Sequence, residues 1–356
     1  MKNDKIITAN PLDRRSFLKR SSFFGMALLP TAALLSTTRS AHAALGNDTT
    51  LSNGDVAILQ FLRAAELVEA DLWGQYAELA VNNPTFRAAL EIIDPALPFY
   101  IVGDHNDEQS HADLITAFLV NAGVTPVDLS SFITLPAVPV KGVDQTKKHL
   151  TNLTNLTIDT SWYLRYRSSG NPDFGDTFPQ IVNITNRPAI PTSNNLPINA
   201  IYAIAGTAAF HFGAIEQGGS SLYLSLLPKV TNLDAVSILG AIGPTEFYHF
   251  ALFQTSLEGI RSYSYGGLVF PDLVNKVFGK AANINQILTP NPCKFLDASL
   301  PACSVIRPSS TANAGAVAAA TGLVNSGLFT GQPPAFFTAV TMLAQAADAA
   351  VRGDLT

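Results

Sequence analysis

The chain has 356 residues, 47% of them hydrophobic and 14% charged, with a formal net charge of −5. That balance supports a large buried core and excludes a disordered chain. Removing the seven basic and two acidic residues of positions 1–43 from totals of 22 and 27 leaves 15 and 25, a net of −10, which excludes a nucleic-acid binder or a protein held on anionic lipid by charge.

The N-terminal stretch Asp13-Arg14-Arg15-Ser16-Phe17-Leu18-Lys19 resembles a twin-arginine export signal. A short apolar run follows from Ser21 to Thr38, broken by Gly25 and Pro30, and then the small-x-small site Ala41-His42-Ala43. The pattern predicts a cleaved signal peptide over 1–43, rather than a membrane anchor, and a periplasmic or secreted mature chain. No other segment is expected to approach a membrane-spanning run. In an oxidising compartment Cys293 and Cys303 are expected to form one disulfide, the alternative being two free thiols.

Residues 44–54 read as a polar leader. From Asp55 to about Val81 apolar residues recur at helical spacing, with Asp55 as candidate cap and Asn82-Asn83-Pro84 as stop. A short helical piece covers Thr85–Ile93, and a second long helix runs from Leu97 to Ala122, ended by Gly123. Residues 124–198 are rich in Pro, Asn and Thr and read as a long crossover with irregular or local strand structure. Helices return over Asn199–Leu227 and Leu233–Ile260, the latter expected to kink or restart at Pro244. The remainder, 261–356, reads as an extension with the cysteine loop, an Ala-rich piece over Ala312–Leu323 and a last helix over Pro334–Val351. The fold class expected is therefore all-α.

Two of these helices carry the same pair of functional groups. Glu108 and His111 lie three residues apart, as do Glu246 and His249, so each pair shares one helix face. Carboxylate oxygen with neutral imidazole suits iron or manganese better than a softer metal. Two dications need further negative charge, and the first and third long helices supply it at matching places. Glu66 has Trp73 seven residues on, and Glu216 has Tyr223 seven residues on. The alternative is a buried Glu–His hydrogen-bonded network without metal. Glu69, one turn beyond Glu66 on the same face, is a further candidate ligand. His105 and His211 read as structural or surface residues, and His149, beside Lys147 and Lys148, as solvated. Gly218-Gly219 reads as a point of close helix approach.

The order Glu66, Glu108/His111, Glu216, Glu246/His249 resembles the ferritin-like superfamily of di-iron and di-manganese carboxylate proteins. More narrowly, AAELVEADLW and AIEQGGSSLY are similar to the first and third helices of the branch holding plant desiccation-related proteins and many exported bacterial proteins. The resemblance covers roughly 55–260. It implies a four-helix bundle with a long crossover between helices two and three (124–198), followed by the C-terminal extension. It also implies two Fe or Mn ions held by Glu66, Glu108, His111, Glu216, Glu246 and His249, with Glu108 and Glu246 bridging. Tyr223 is a candidate redox residue beside them.

The function expected is oxygen- or peroxide-linked redox chemistry, ferroxidase- or catalase-like, or protection against desiccation and oxidative stress. The rivals are a protective or structural protein without metal and an envelope binding module. Metal ions are the expected partners, nucleic acid and membrane are not, and a second copy of the chain is a further candidate.

Overall fold

Ser52 opens the first long helix. Its hydroxyl accepts the Asp55 amide at 3.0 Å, and the Asp55 carboxylate accepts the Ser52 amide at 3.0 Å, a reciprocal cap that satisfies two otherwise orphaned donors. The helix, α1, spans Asn53–Asn82, so Ser52 is the cap and Asp55 its third-position partner, a correction to the sequence reading.

This computed structural model describes residues 50–165, 179–273 and 314–353, with a few positions between 292 and 305. The predicted signal peptide and Cys293, and with Cys293 the expected disulfide, fall outside the described residues. The structure is mostly helical. After α1 come α2 (Pro84–Ile93), α3 (Leu97–Asn121), the single turn α4 (Trp162–Arg165), α5 (Ile198–Leu226), α6 (Leu233–Leu257), α7 (Ala316–Asn325) and α8 (Pro334–Asp348). The strands form short antiparallel pairs: β1 (Leu135–Pro136) with β2 (Lys148–His149), β3 (Leu156–Ile158) with β4 (Ile184–Arg187), and β5 (Tyr263–Tyr265) with β6 (Leu268–Phe270). Local strand structure within the crossover is thus present.

Each helix end has a chemical cause. Asn83 stops α1 and caps α2 by accepting the Phe86 amide at 3.0 Å. Gly123, at φ +77°, ends α3: its amide bonds the Val120 carbonyl and the Val124 amide bonds that of Leu119, a left-handed stop that favours glycine. Asn232 caps α6 by accepting the Asp234 and Ala235 amides.

The long helices pack as α1 against α3 and α5 against α6, with α3 also meeting α6. Aromatic side chains tie α1 to α5 and α6: Trp73 stacks on Phe253 at 5.0 Å between ring centroids and leans on Phe212, which also meets Tyr76 edge-on. The extension completes this core. Helix α8 lies along α1, and Phe329, Phe336, Ala344 and Ala347 are buried within the apolar clusters.

Three further expectations are corrected. Helix α6 does not restart at Pro244 but continues through it, at the cost of one amide bond in its ladder, and it packs against α5. Residues 198–229 are long and apolar enough to cross a membrane by length and composition, but 78% of the most apolar window is buried. That helix is apolar all round because protein surrounds it. His149 is buried, not solvated, with Nδ1 3.2 Å from Asp71 Oδ1. Asp71 also accepts the Thr151 amide and hydroxyl, so it clamps the crossover to α1.

Asp55 does more than cap. Its Oδ1 accepts the Thr231 amide at 2.7 Å, joining the start of α1 to the turn between α5 and α6. Asp55→Ala removes the cap and leaves buried amides without partners, and should lower the unfolding free energy by about 2–4 kcal/mol in urea titration.

Candidate metal centre

On each long helix one stretch of the buried face is acidic. Glu66 lies between Leu62 and Trp73, and Glu108 and His111 between Ile101 and Ile115. Glu216 lies between Phe212 and Leu222, and Glu246 between Ile242 and Phe250. On all four helices the apolar neighbours on one side belong to one core cluster and those on the other side to the second. The polar residues therefore form a layer that divides the hydrophobic core.

The layer gathers the six ligands that the resemblance implies, though not the further candidate Glu69. Glu66, Glu108, His111 and Glu246 form one group and Asp104, Glu108, Glu216 and His249 another, with donor atoms in each within 4.8 Å of one another. All are buried; Glu108, Glu216 and Glu246 are 0% exposed. Each group is geometrically able to hold a metal ion. Glu108 belongs to both: its Oε2 lies 3.1 Å from His111 Nδ1 and its Oε1 3.2 Å from His249 Nδ1. Glu246, expected to bridge as well, belongs to the first group alone, and Asp104 takes the matching place in the second.

Both imidazoles are crowded by carboxylate oxygens. His111 Nδ1 also lies 3.3 Å from Glu66 Oε2 and 3.3 Å from Glu246 Oε1. His249 Nδ1 lies 2.8 Å from Asp104 Oδ1 and 3.2 Å from Glu216 Oε2. One ring nitrogen carries at most one proton and can satisfy one such oxygen well. Consistent with that, oxygens of Glu66, Asp104, Glu108, Glu216 and Glu246 lack any hydrogen-bond partner although buried. A converging set of lone pairs from carboxylates and imidazoles, without a thiolate, is the donor chemistry of iron or manganese. The residues fit such a pair of ions.

Asp104 and Asp107 were not singled out in the sequence. Asp104 sits one turn before Glu108 and shares its face, a spacing that could have found it. Exposed Asp107 holds His249 from the other side, with Oδ2 3.1 Å from Nε2, which leaves Nδ1 turned to the carboxylates. Tyr223 donates its hydroxyl to Glu66 Oε1. Glu69 is buried with an unpartnered Oε2 but stands outside both groups. His211 is structural: its Nδ1 meets the Tyr76 hydroxyl at 2.8 Å, and burial pushes its pKa down to about 3. His105 Nδ1 donates to the Ala70 carbonyl at 3.0 Å.

Among the described residues no lysine or arginine forms an ion pair with this layer. Burial therefore dominates its carboxyl groups, pushing Asp104 up to about 6 and Glu246 up to about 7, and raising Glu108, Glu216 and Glu69. Burial lowers the His111 imidazole, but the carboxylates of Glu108, Glu246 and Glu66 crowded around it outweigh that and lift it to about 12. His249 is raised in the same way by Asp104, Asp107, Glu108 and Glu216.

No family model matches the chain, and no curated protein or solved structure matches it.

In the metal-free chain these shifts share a sign. Raised carboxyl groups and raised imidazoles both mean that the folded layer holds more protons than the unfolded chain does there, a contribution to stability that falls as pH rises, whereas buried His211, lowered to about 3, works the other way below its ordinary 6.5. Asp104 and Glu246 contribute from their ordinary values of 3.8 and 4.5 up to about 6 and about 7, and His111 from 6.5 upward. The melting temperature of metal-free protein should fall between about pH 6.5, above which His211 no longer opposes, and about pH 8, while affinity for added Mn(II) or Fe(II) rises over the same range as metal replaces protons. Calorimetric melting and metal titration across that window read both slopes.

Proposed function

We propose that this chain is an exported ferritin-like protein whose four-helix bundle holds a dinuclear iron or manganese centre used for oxygen- or peroxide-linked redox chemistry in stress protection. The observation that carries the proposal is the meeting of two three-carboxylate, one-imidazole groups at the shared residue Glu108. The arginine pair at Arg14-Arg15 and the site at Ala43 support export by the twin-arginine route.

A bound metal pair would supply adjacent one-electron steps, and the surrounding residues have definable parts in supporting it. Glu108 offers one oxygen to each group and fixes their separation. Asp107 orients His249 and sets which ring nitrogen faces inward. Tyr223 holds Glu66 by its hydroxyl, and its phenol is kept protonated by burial next to Glu66 and Glu246. The apolar clusters on either side keep bulk water from the layer.

Metal content tests the proposal. Protein isolated from its own compartment should carry about two iron or manganese ions per chain by elemental analysis. Glu108→Ala should lose both, whereas Glu216→Ala should keep about one, because it strips a ligand from one group only. Protein that binds no metal and melts identically with or without it would leave the protective or structural reading.

A further inference from the structure

The crossover and the extension, which a minimal four-helix bundle lacks, meet over one face of α1 and α5. The Thr157 amide donates to the Ser326 carbonyl at 2.8 Å, the Asn152 amide to the Leu328 carbonyl at 2.6 Å, and Gln332 Nε2 to the Leu150 carbonyl at 2.8 Å. Between these segments and the bundle lies a cavity of about 500 Å³, partly open to solvent. That is the size of a site for a small organic molecule.

Its walls are mainly apolar, with Phe61, Trp162, Ile184, Ile215, Leu222 and Leu323 among them. Its inner wall is continuous with the acidic layer at two points. Glu69, one turn beyond Glu66, lines the cavity, is nine-tenths buried and has an Oε2 without a hydrogen-bond partner. Gly219 lines it too, and a Cβ there would stand 2.5 Å from Glu246 Oε2, so the Glu246 carboxylate lies directly behind that backbone.

Two other glycines border the same space. Gly218 on α5 and Gly322 on α7 both line the cavity, and a Cβ at either would meet nothing within 4 Å. Alanine in a helix is more stable than glycine, and neither position has a contact or a positive φ that demands glycine. Two helices from distant parts of the chain thus leave the same space clear.

We propose that this cavity is the substrate pocket of the metal centre, and that it takes an uncharged, largely apolar organic molecule bearing a hydroxyl or amide N–H at the end that meets Glu69. A carboxylate-headed ligand is disfavoured, because its charge would be buried beside Glu69 among described lining residues that include no lysine or arginine. The substrate role rests on the proposed metal centre; binding of the molecule does not.

Displacement of the neutral fluorophore phenylnaphthylamine by decanol and by decanoate separates the possibilities, using the whole mature chain first without metal. Decanol should bind at a single site, with decanoate at least about tenfold weaker. Gly218→Leu and Gly322→Leu fill the space and should each weaken decanol at least about tenfold without lowering the melting temperature. Gly240→Leu, at a helix glycine whose Cβ also meets nothing within 4 Å but which lies outside this cavity, should change nothing. Absence of saturable binding, equal affinity for decanoate, or binding indifferent to both cavity substitutions overturns the pocket. In Mn(II)-loaded protein the decanol protons nearest the hydroxyl should broaden most. Binding without that broadening overturns the link to the metal centre. A chain that takes up no Mn(II) overturns the proposed function and the substrate role together, while the metal-free titration still reports on the pocket.

Discussion

Five carboxyl groups buried at one level of four packed helices is the constraint around which the rest of this structure is arranged. An isolated buried carboxylate is costly, and removing one partner from a buried set costs more than the set as a whole contributes. Two imidazoles are the only basic side chains paired with the layer among the described residues, and at most two positive charges cannot balance five negative ones. The chain must therefore hold protons there or hold cations. Everything apolar around the layer has the effect of raising that demand: the two clusters above and below it exclude the water that would otherwise dissipate the charge.

That constraint explains features remote from the ligands. The helices must meet at a fixed register for Glu66 and Glu216 to face the two Glu-x-x-His pairs. Asp55, which joins the start of α1 to the turn before α6, and Asp71, which fastens the crossover to α1, supply that register from outside the layer. Tyr223 reaches from α5 to Glu66 on α1, and the Trp73–Phe253 stack joins α1 to α6. Both of these contacts run from α1, in the first helix pair, to α5 or α6 in the second.

Much of this was legible in the sequence, for a physical reason. A polar residue at three- and four-residue spacing inside an apolar stripe has to be satisfied by something, and Glu108/His111 and Glu246/His249 announce themselves in that way. Helix ends were equally legible at Asn83 and Gly123, where local chemistry decides. What sequence periodicity does not carry is the environment of one residue among long-range neighbours. His149 looks solvated beside two lysines, yet the fold brings Asp71 to it across 78 positions. Pro244 looks like a break, but its cost is local while the support of α6 by α5 is tertiary. Asp104 sits at a helical spacing from Glu108 that many surface aspartates share, and only the approach of His249 distinguishes it.

The two groups match only approximately, and the difference has consequences. Both groups hold three carboxylates and one imidazole, but Glu246 completes the first and Asp104 the second. Asp104 is one carbon shorter and comes from the same helix as Glu108, so the second group joins α3 to α5 and α6. The first group, which likewise takes two residues from α3, joins it to α1 and α6. Its Glu246 keeps one oxygen toward Gly219 and the cavity wall, and its Glu66 stands one turn from Glu69. The adjacent glycines then divide the work. A side chain at Gly219 would displace the Glu246 carboxylate, whereas Gly218, its neighbour on the same helix, could bear one freely and does not. A pair that looks in sequence like a single packing motif is, in space, one residue shaped by the acidic layer and one shaped by the cavity beside it.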